Sequence, residues 1–251
     1  MTQFRPSRFE ILPPVIKNLI IINALMFLAQ NTIKTTPFGS LEDIFALHTW
    51  QSDLFQPWQF VTHMFMHGGF GHIFFNMFAL WMFGSILENV WGQKRFLTFY
   101  FICGLGAALC HMIALHFENQ TMIQHFNAIQ DPGDAAYFIS EYYGGALPPS
   151  LDAAREVLNF RLNTPTVGAS GAVFGCLAAF GYLFPNTYLY LYFLFPVKAK
   201  WFVIGYIAIE LFSTFQNSAG DNVAHLAHLG GALFGFLLVW TWNKKNRRNF
   251  Y

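Results

Sequence analysis

The sequence predicts an all-α membrane protein, a bundle of six transmembrane helices with both termini on the cytoplasmic side. Three observations predict it. Hydrophobic residues fill 55% of the 251 positions and charged residues only 11%, against about a quarter charged in a soluble domain. Apolar segments of roughly bilayer-crossing length recur along the chain. Lysine and arginine fall into alternate connections between those segments, as the positive-inside rule requires of a multi-span protein.

The segments follow in order. The first covers about Val15–Ala29, between Pro14 and the polar Gln30-Asn31. The second runs over Phe70–Leu87 and is ended by Glu88, and the third over Phe96–Leu115. The fourth, Val167–Phe184, opens after Thr164-Pro165 and stops at Pro185. The fifth covers Trp201–Phe215, and the sixth Val223–Trp242 before a basic tail. Tyr188–Val197 is apolar but short, and either extends the fifth span or lies at the interface. The whole chain, 1–251, reads as one membrane domain with an N-terminal tail at 1–14, a long polar loop at 116–166 and a C-terminal tail at 243–251. Within that loop, Asp152–Arg161 has the composition of a short helix.

Charge orients the bundle. Arg5, Arg8 and Lys17, then Lys94 and Arg95, then Lys198 and Lys200, then Lys244, Lys245, Arg247 and Arg248 share one side, leaving only Lys34, Arg155 and Arg161 on the other. The basic side is cytoplasmic, so the loops at 30–69, 116–166 and 216–222 lie outside. The first span lacks a small-residue cleavage site and reads as an uncleaved span. Absence of an organelle-like leader points to a bacterial plasma membrane. No basic patch suggests nucleic acid. Cys103, Cys110 and Cys176 lie in apolar runs, so they read as small buried hydrophobes and not as a disulfide framework.

Spans two, four and six all begin at the outer face, and their first turns hold the polar chemistry. Span four opens on Gly168-Ala169-Ser170-Gly171, span six on His225-Leu226-Ala227-His228, and span two is approached through His63, His67, His72 and Asn76. Polar groups inside a membrane are costly and by default mark function. Gly171 and Gly175 form one small-residue ridge, Gly231 and Gly235 another. Such ridges let helix backbones approach closely, which a side chain as short as serine needs if it is to reach an imidazole. Ser170 is then the nucleophile and His228 the base that takes its proton. The oxyanion formed on attack needs fixed donors. The N–H of Ser170 is one candidate, and His72 and Asn76, one turn apart, can point at the same place. Phe174, one turn below Ser170, can stack under His228. No acidic residue lies within a turn of His228 in sequence, which gives a dyad.

Gly168-x-Ser170-Gly171 resembles the Gly-x-Ser-Gly motif of the rhomboid family of intramembrane serine proteases. Ala227-His228 with Gly231 and Gly235 resembles that family's Ala-His-x-x-Gly-x-x-x-Gly motif, His67 and His72-x-x-x-Asn76 its His-rich second span, and Glu88-Asn-Val-Trp91-Gly92 the turn that closes it. The resemblance covers about residues 57–235. It implies that Ser170 is nucleophile and His228 base, that His72, Asn76 and Gly168 stabilise oxyanion or substrate, and that a client's transmembrane helix enters sideways from the lipid bilayer and unwinds before it is cut. Two departures stand out: Phe174 occupies a position often held by Tyr, and the loop at 116–166 is longer than in compact members.

Other classes were weighed. A zinc site among the histidines is disfavoured because no His-Glu-x-x-His motif is present and no carboxylate lies at ligand spacing, so no metal and no other cofactor is expected. A transporter is disfavoured by the lack of an inverted repeat or midplane charge relay. A catalytically inactive rhomboid-like protein that binds membrane clients is the remaining alternative, although such proteins typically lose the serine or the histidine. His67 is expected to hold the outer loop by hydrogen bonds. His225 either tunes the site or faces outer water, and Glu210 either pairs with an outer-end histidine or reaches interfacial water.

Overall fold

The computed structural model describes residues 9–145, 147–191, 195–216 and 224–245. The far ends of both tails, most of the loop expected at 216–222 and the start expected for span six at Val223 lie outside the described residues.

Helix α1 (Pro14–Thr32) starts on a proline, whose missing N–H the first turn does not need. The next two amides, of Val15 and Ile16, each donate to one oxygen of the Glu88 carboxylate at 2.9 Å. Glu88 is buried, so an anion closes the positive end of α1 where water cannot. The connection after α1 carries two short helices, α2 (Leu41–Phe45) and α3 (Gln59–Thr62), the latter running into a 3₁₀ turn at His63–Phe65. Buried Gln59 organises it. Its amide nitrogen donates to the carbonyl of Leu54 at 2.9 Å and to that of Asp43 at 3.2 Å, and its oxygen accepts from the amides of His48 and Gln56, both at 3.2 Å.

Helix α4 (Phe70–Ala79) passes through a π turn at Leu80–Gly84 into α5 (Ser85–Trp91), so that Phe70–Trp91 forms one continuous span. Gly92, at φ +79°, breaks it. Helix α6 (Gln93–Asn127) has 35 residues, about 52 Å of helix at 1.5 Å per residue, against a hydrocarbon core of about 30 Å. Its far end projects beyond any bilayer that holds the rest. There it meets α7 (Pro132–Tyr142) and α8 (Leu151–Leu162), capped by Asp131 and Ser150. Met122, Phe138, Ile139 and Val157 give this assembly a core of its own. The stretch at 116–166, expected as a loop with a short helix at Asp152–Arg161, is therefore mostly helical, and α8 covers that expected helix.

Helix α9 (Ser170–Leu183) starts at the serine, three residues later than the apolar run suggests, because 167–169 form a non-helical turn. The apolar stretch after it is a two-stranded antiparallel hairpin, β1 (Tyr188–Leu191) and β2 (Phe195–Lys198), pairing Tyr188 with Lys198 and Leu191 with Phe195. Helices α10 (Ala199–Gln216) and α11 (His225–Lys245) complete the bundle.

Among the described residues four helices are long and apolar enough to cross a membrane: Pro14–Thr32, Phe70–Trp91, Gln93–Asn127 and His225–Lys244; Ser170–Leu183 is apolar but shorter. The shared core is built by α1, α4 to α6, and α9 to α11 around Phe83, Phe96, Phe99, Tyr100 and Phe180. Large apolar side chains also face outward, including Leu25, Phe74, Leu109, Ile209 and Leu233, which suits lipid and not water as surroundings. At one end of the bundle Arg95 covers the ring of Trp242, with 4.2 Å from guanidinium to ring centre, and Trp91 meets the same indole edge-on. This basic, aromatic end joins the start of α6 to the end of α11. The starts of α4, α9 and α11 are gathered at the opposite end.

Candidate active site

The site is assembled at that opposite end. The turn before α9 is strapped to the first connection. Leu47 and Thr166 exchange backbone hydrogen bonds of 2.9 and 2.8 Å, and the amide of Gly168 donates to the carbonyl of His63 at 2.9 Å. Thr166 Oγ1 also meets His111 Nε2 at 3.0 Å. Gly168 has φ +129°, and a β-carbon there would lie 2.8 Å from both Cε1 and Nε2 of His72. Glycine is thus needed twice, for the backbone angle and for the imidazole pressed against it.

Ser170 then stands as the first residue of α9, where the first-turn amides have no partner within the helix. Its Oγ lies 2.8 Å from Nε2 of His228, on the first turn of α11. The ring of Phe174 lies under His228 with centroids 4.2 Å apart and planes 6° from parallel, and Tyr206 of α10 stacks on Phe174 at 5.2 Å. Such a short reach follows from the glycines. A β-carbon on Gly231 would overlap the carbonyl of Gly171, and one on Gly235 would lie 2.7 Å from the Cα of Gly175. The ridge on α9 makes room on a second side as well: a β-carbon on Gly171 would overlap Ala107 of α6, and one on Gly175 would lie 2.5 Å from Cys103 Sγ. Three helices, not two, close on the serine.

The structure brings His72 beside Gly168 and Ser170. Asn76, one turn deeper and buried, donates its amide to the carbonyl of His72 at 3.0 Å, so that group is engaged with its own helix. His67 holds the first connection to α1 through its backbone: its amide donates to Gln30 Oε1 at 3.0 Å and its carbonyl accepts from Gln30 Nε2 at 3.3 Å. Among the described residues its ring nitrogens have no hydrogen-bond partner. Its ring meets His72 edge-on at 5.1 Å. Burial, with the charge of His72 adding to it, pushes His67 down to about 4.

One expectation fails. An acidic residue does reach His228. Glu210, 6% exposed, comes from α10, and its Oε2 lies 3.0 Å from Nδ1 of His228 and 2.6 Å from Nδ1 of His225. Eighteen positions and a chain reversal separate Glu210 from His228, so sequence spacing does not show the contact. The pairing with an outer-end histidine is the one of its two alternatives that the fold realises. A carboxylate thus does lie at ligand distance from the histidines: ligand atoms of Glu210, His225 and His228 all lie within 4.8 Å of one another and could hold a divalent ion. Tyr206, Gln30 and Thr166 are further contributors missed in the sequence; only a general excess of polar groups near span ends hinted at the last two. Beside Ser170 a cavity of about 20 Å³, lined by His63, Thr166, Gly168 and Ala224 among others, has room for roughly one water.

Fold and site together define a mostly helical membrane protein with a serine and a histidine paired where three helix starts converge. A family model described as the rhomboid domain matches residues 54–129 and 133–245. The chain belongs to the rhomboid family. It is 30% identical over 181 residues to Rhomboid protein 1, mitochondrial, of Saccharomyces cerevisiae, covering 70% of this chain and 39% of that protein. It is 24% identical over 210 residues to Rhomboid protease GluP of Bacillus subtilis, covering 83% and 29% respectively. Rhomboid protease AarA of Providencia stuartii is 27% identical over 241 residues, covering 88% of this chain and 69% of that one. The chain thus spans well under two thirds of the yeast and Bacillus proteins.

Proposed function

We propose that this protein is an intramembrane serine endopeptidase that hydrolyses peptide bonds in or beside the transmembrane helices of client proteins, with Ser170 and His228 as its catalytic pair. The observation that carries the reading is the 2.8 Å contact between Ser170 Oγ and His228 Nε2, within the range for nucleophile and base. Family membership supports proteolysis in general, and the names of GluP and AarA contain the word protease. In the reaction Ser170 Oγ bonds to the carbonyl carbon as its proton passes to His228. The oxyanion is held by amides of the first turn of α9 and by His72, both beside the serine. Collapse breaks the C–N bond, and His228 gives the proton to the leaving amine. Water then adds to the acyl-enzyme as His228 takes its proton, and the new carboxyl end leaves as His228 returns that proton to Ser170 Oγ. No metal or cofactor enters these steps.

The proposal extends to a single domain of six spans with both termini cytoplasmic, the site facing outward, and clients reaching it from the bilayer. As for which membrane, the names of the relatives divide between bacteria and organelles and lend a bacterial plasma membrane no support. Reconstitution with a single-span model substrate tests the activity. Wild type should cut, while Ser170→Ala and His228→Ala should not, a loss of at least ~10³-fold. Cutting by Ser170→Ala at the wild-type rate ends the reading, and loss of cutting on chelation would favour the metal cluster instead. The second reading, an inactive client binder, is separated by a fluorophosphonate probe, which labels an activated serine and leaves a binder unmarked.

A further inference from the structure

Glu210 is a buried carboxylate on an apolar helix. An apolar side chain would pack there without the cost of removing a charge from water. What the carboxylate adds is two hydrogen bonds to imidazoles, one of them on His228, at 3.0 Å. A carboxylate oxygen only accepts, so Nδ1 of His228 carries the hydrogen between them. In the neutral ring this leaves Nε2 with its lone pair, and Nε2 is the atom that faces Ser170 Oγ at 2.8 Å. That is the tautomer a general base needs. Without an acceptor at Nδ1 the other neutral tautomer competes, and its Nε2–H would donate to the serine instead of accepting from it. The negative charge also faces the imidazolium that forms when Ser170 gives up its proton.

A second contact from the same helix bears on the same ring. Tyr206, one turn before Glu210 on α10, stacks on Phe174, and Phe174 stacks on His228. Helix α10 thereby supports His228 at its face, through Phe174, and at its edge, through Glu210. His225 bonds to the same oxygen of Glu210 at 2.6 Å and fixes the carboxylate from the other side.

We propose that Glu210 is a positioning residue of the catalytic site, which holds His228 in the tautomer and orientation that activate Ser170 and makes the arrangement a Ser170–His228–Glu210 triad. The inference rests on the protease reading. Glu210 acts through His228 and touches no reacting atom.

The test compares wild type, Glu210→Gln and Glu210→Asp in proteoliposomes with the single-span substrate, alongside the rate at which a small fluorophosphonate labels Ser170. The glutamine can turn its NH₂ toward Nδ1 and favour the wrong tautomer. Glu210→Gln should lower kcat by roughly 10- to 100-fold, less than the ~10⁴-fold seen when a soluble triad loses its acid, with KM changed less than about twofold. Labelling should slow by the same factor, and Glu210→Asp should recover part of both. A role in packing alone would lower thermal stability or raise KM and leave the labelling rate of folded protein unchanged; that result overturns the inference, as does a Glu210→Gln enzyme with wild-type kcat. If neither variant folds, ¹⁵N-histidine spectra of the wild type decide, with the His228 signal identified by its loss in His228→Ala: an Nδ1–H tautomer supports the triad, and a predominant Nε2–H tautomer overturns it. Wild type that neither cuts nor labels defeats the protease reading and the triad together, whereas cutting that survives Glu210→Gln defeats the triad alone.

Discussion

A single added methyl group should be enough to disable this site. Gly168 combines φ +129° with an imidazole where a β-carbon would go. The left-handed backbone costs a non-glycine residue about 1–2 kcal/mol, and the overlap must push either His72 or the serine turn aside. Gly168→Ala is expected to lower kcat/KM by at least ~10-fold, about 1.4 kcal/mol, with the protein still folded by circular dichroism. Retention of full activity would mean that the turn can relax around the extra carbon. This glycine was legible as part of a motif, but its second reason was not, because His72 lies almost a hundred positions away. Glu210 was hidden for the same kind of reason. Sequence spacing reports neighbours on one helix, and Glu210 and His228 are neighbours only across two.

Among the helices, the α9–α11 contact sets the distance between Ser170 and His228. Gly231→Leu would place a side chain into the carbonyl of Gly171, and the helices could accommodate it only by parting. Loss of proteolysis and a lower melting temperature in detergent are expected. Gly205→Ala on α10, where a β-carbon meets nothing within 4 Å, should change neither. Small-residue ridges at i and i+4 were readable in sequence, as were the six apolar runs. Of the capping helices, α8 was legible as the short helix at Asp152–Arg161, whereas α7, eleven residues opening on Pro132-Gly133, was not. The hairpin at β1 and β2 was hidden because a short apolar run, Tyr188–Val197, fits an interface segment equally well. The connection that carries α2 and α3 should be sensitive to acid. Burial pushes His63 down to about 4, so the folded protein keeps this ring neutral. Between pH 6.5 and 4 the unfolded chain therefore binds more protons than the folded one, and stability falls as pH falls through that window. Melting temperatures over this range should drop for wild type and drop less for His63→Gln; parallel curves would dismiss His63 as a cause.

At the scale of the molecule, charge and chemistry occupy opposite ends. The Arg95–Trp242 contact lies at the basic end, and the serine and its histidine lie at the other. The six-span reading predicts which positions a membrane-impermeant thiol reagent can reach. In a variant lacking Cys103, Cys110 and Cys176, single cysteines replacing Lys34 or Arg155 should react from outside in intact cells, and those replacing Lys94 or Lys244 only after lysis. The reverse pattern would turn the molecule over; mixed labelling would change the number of spans.

The serine turn is strapped by backbone bonds between Leu47 and Thr166, and His228 sits on α11, which leaves the ribosome after every other helix described here. A protease that shares its membrane with clients during its own synthesis carries a risk of premature cleavage. On the protease reading proposed above, Ser170 emerges first and stays unactivated until residues more than fifty positions later have been inserted and packed. Arming is thus tied to completion: a nascent chain stalled before α11 should be inert toward its neighbours, and release from the stall should switch it on in one step.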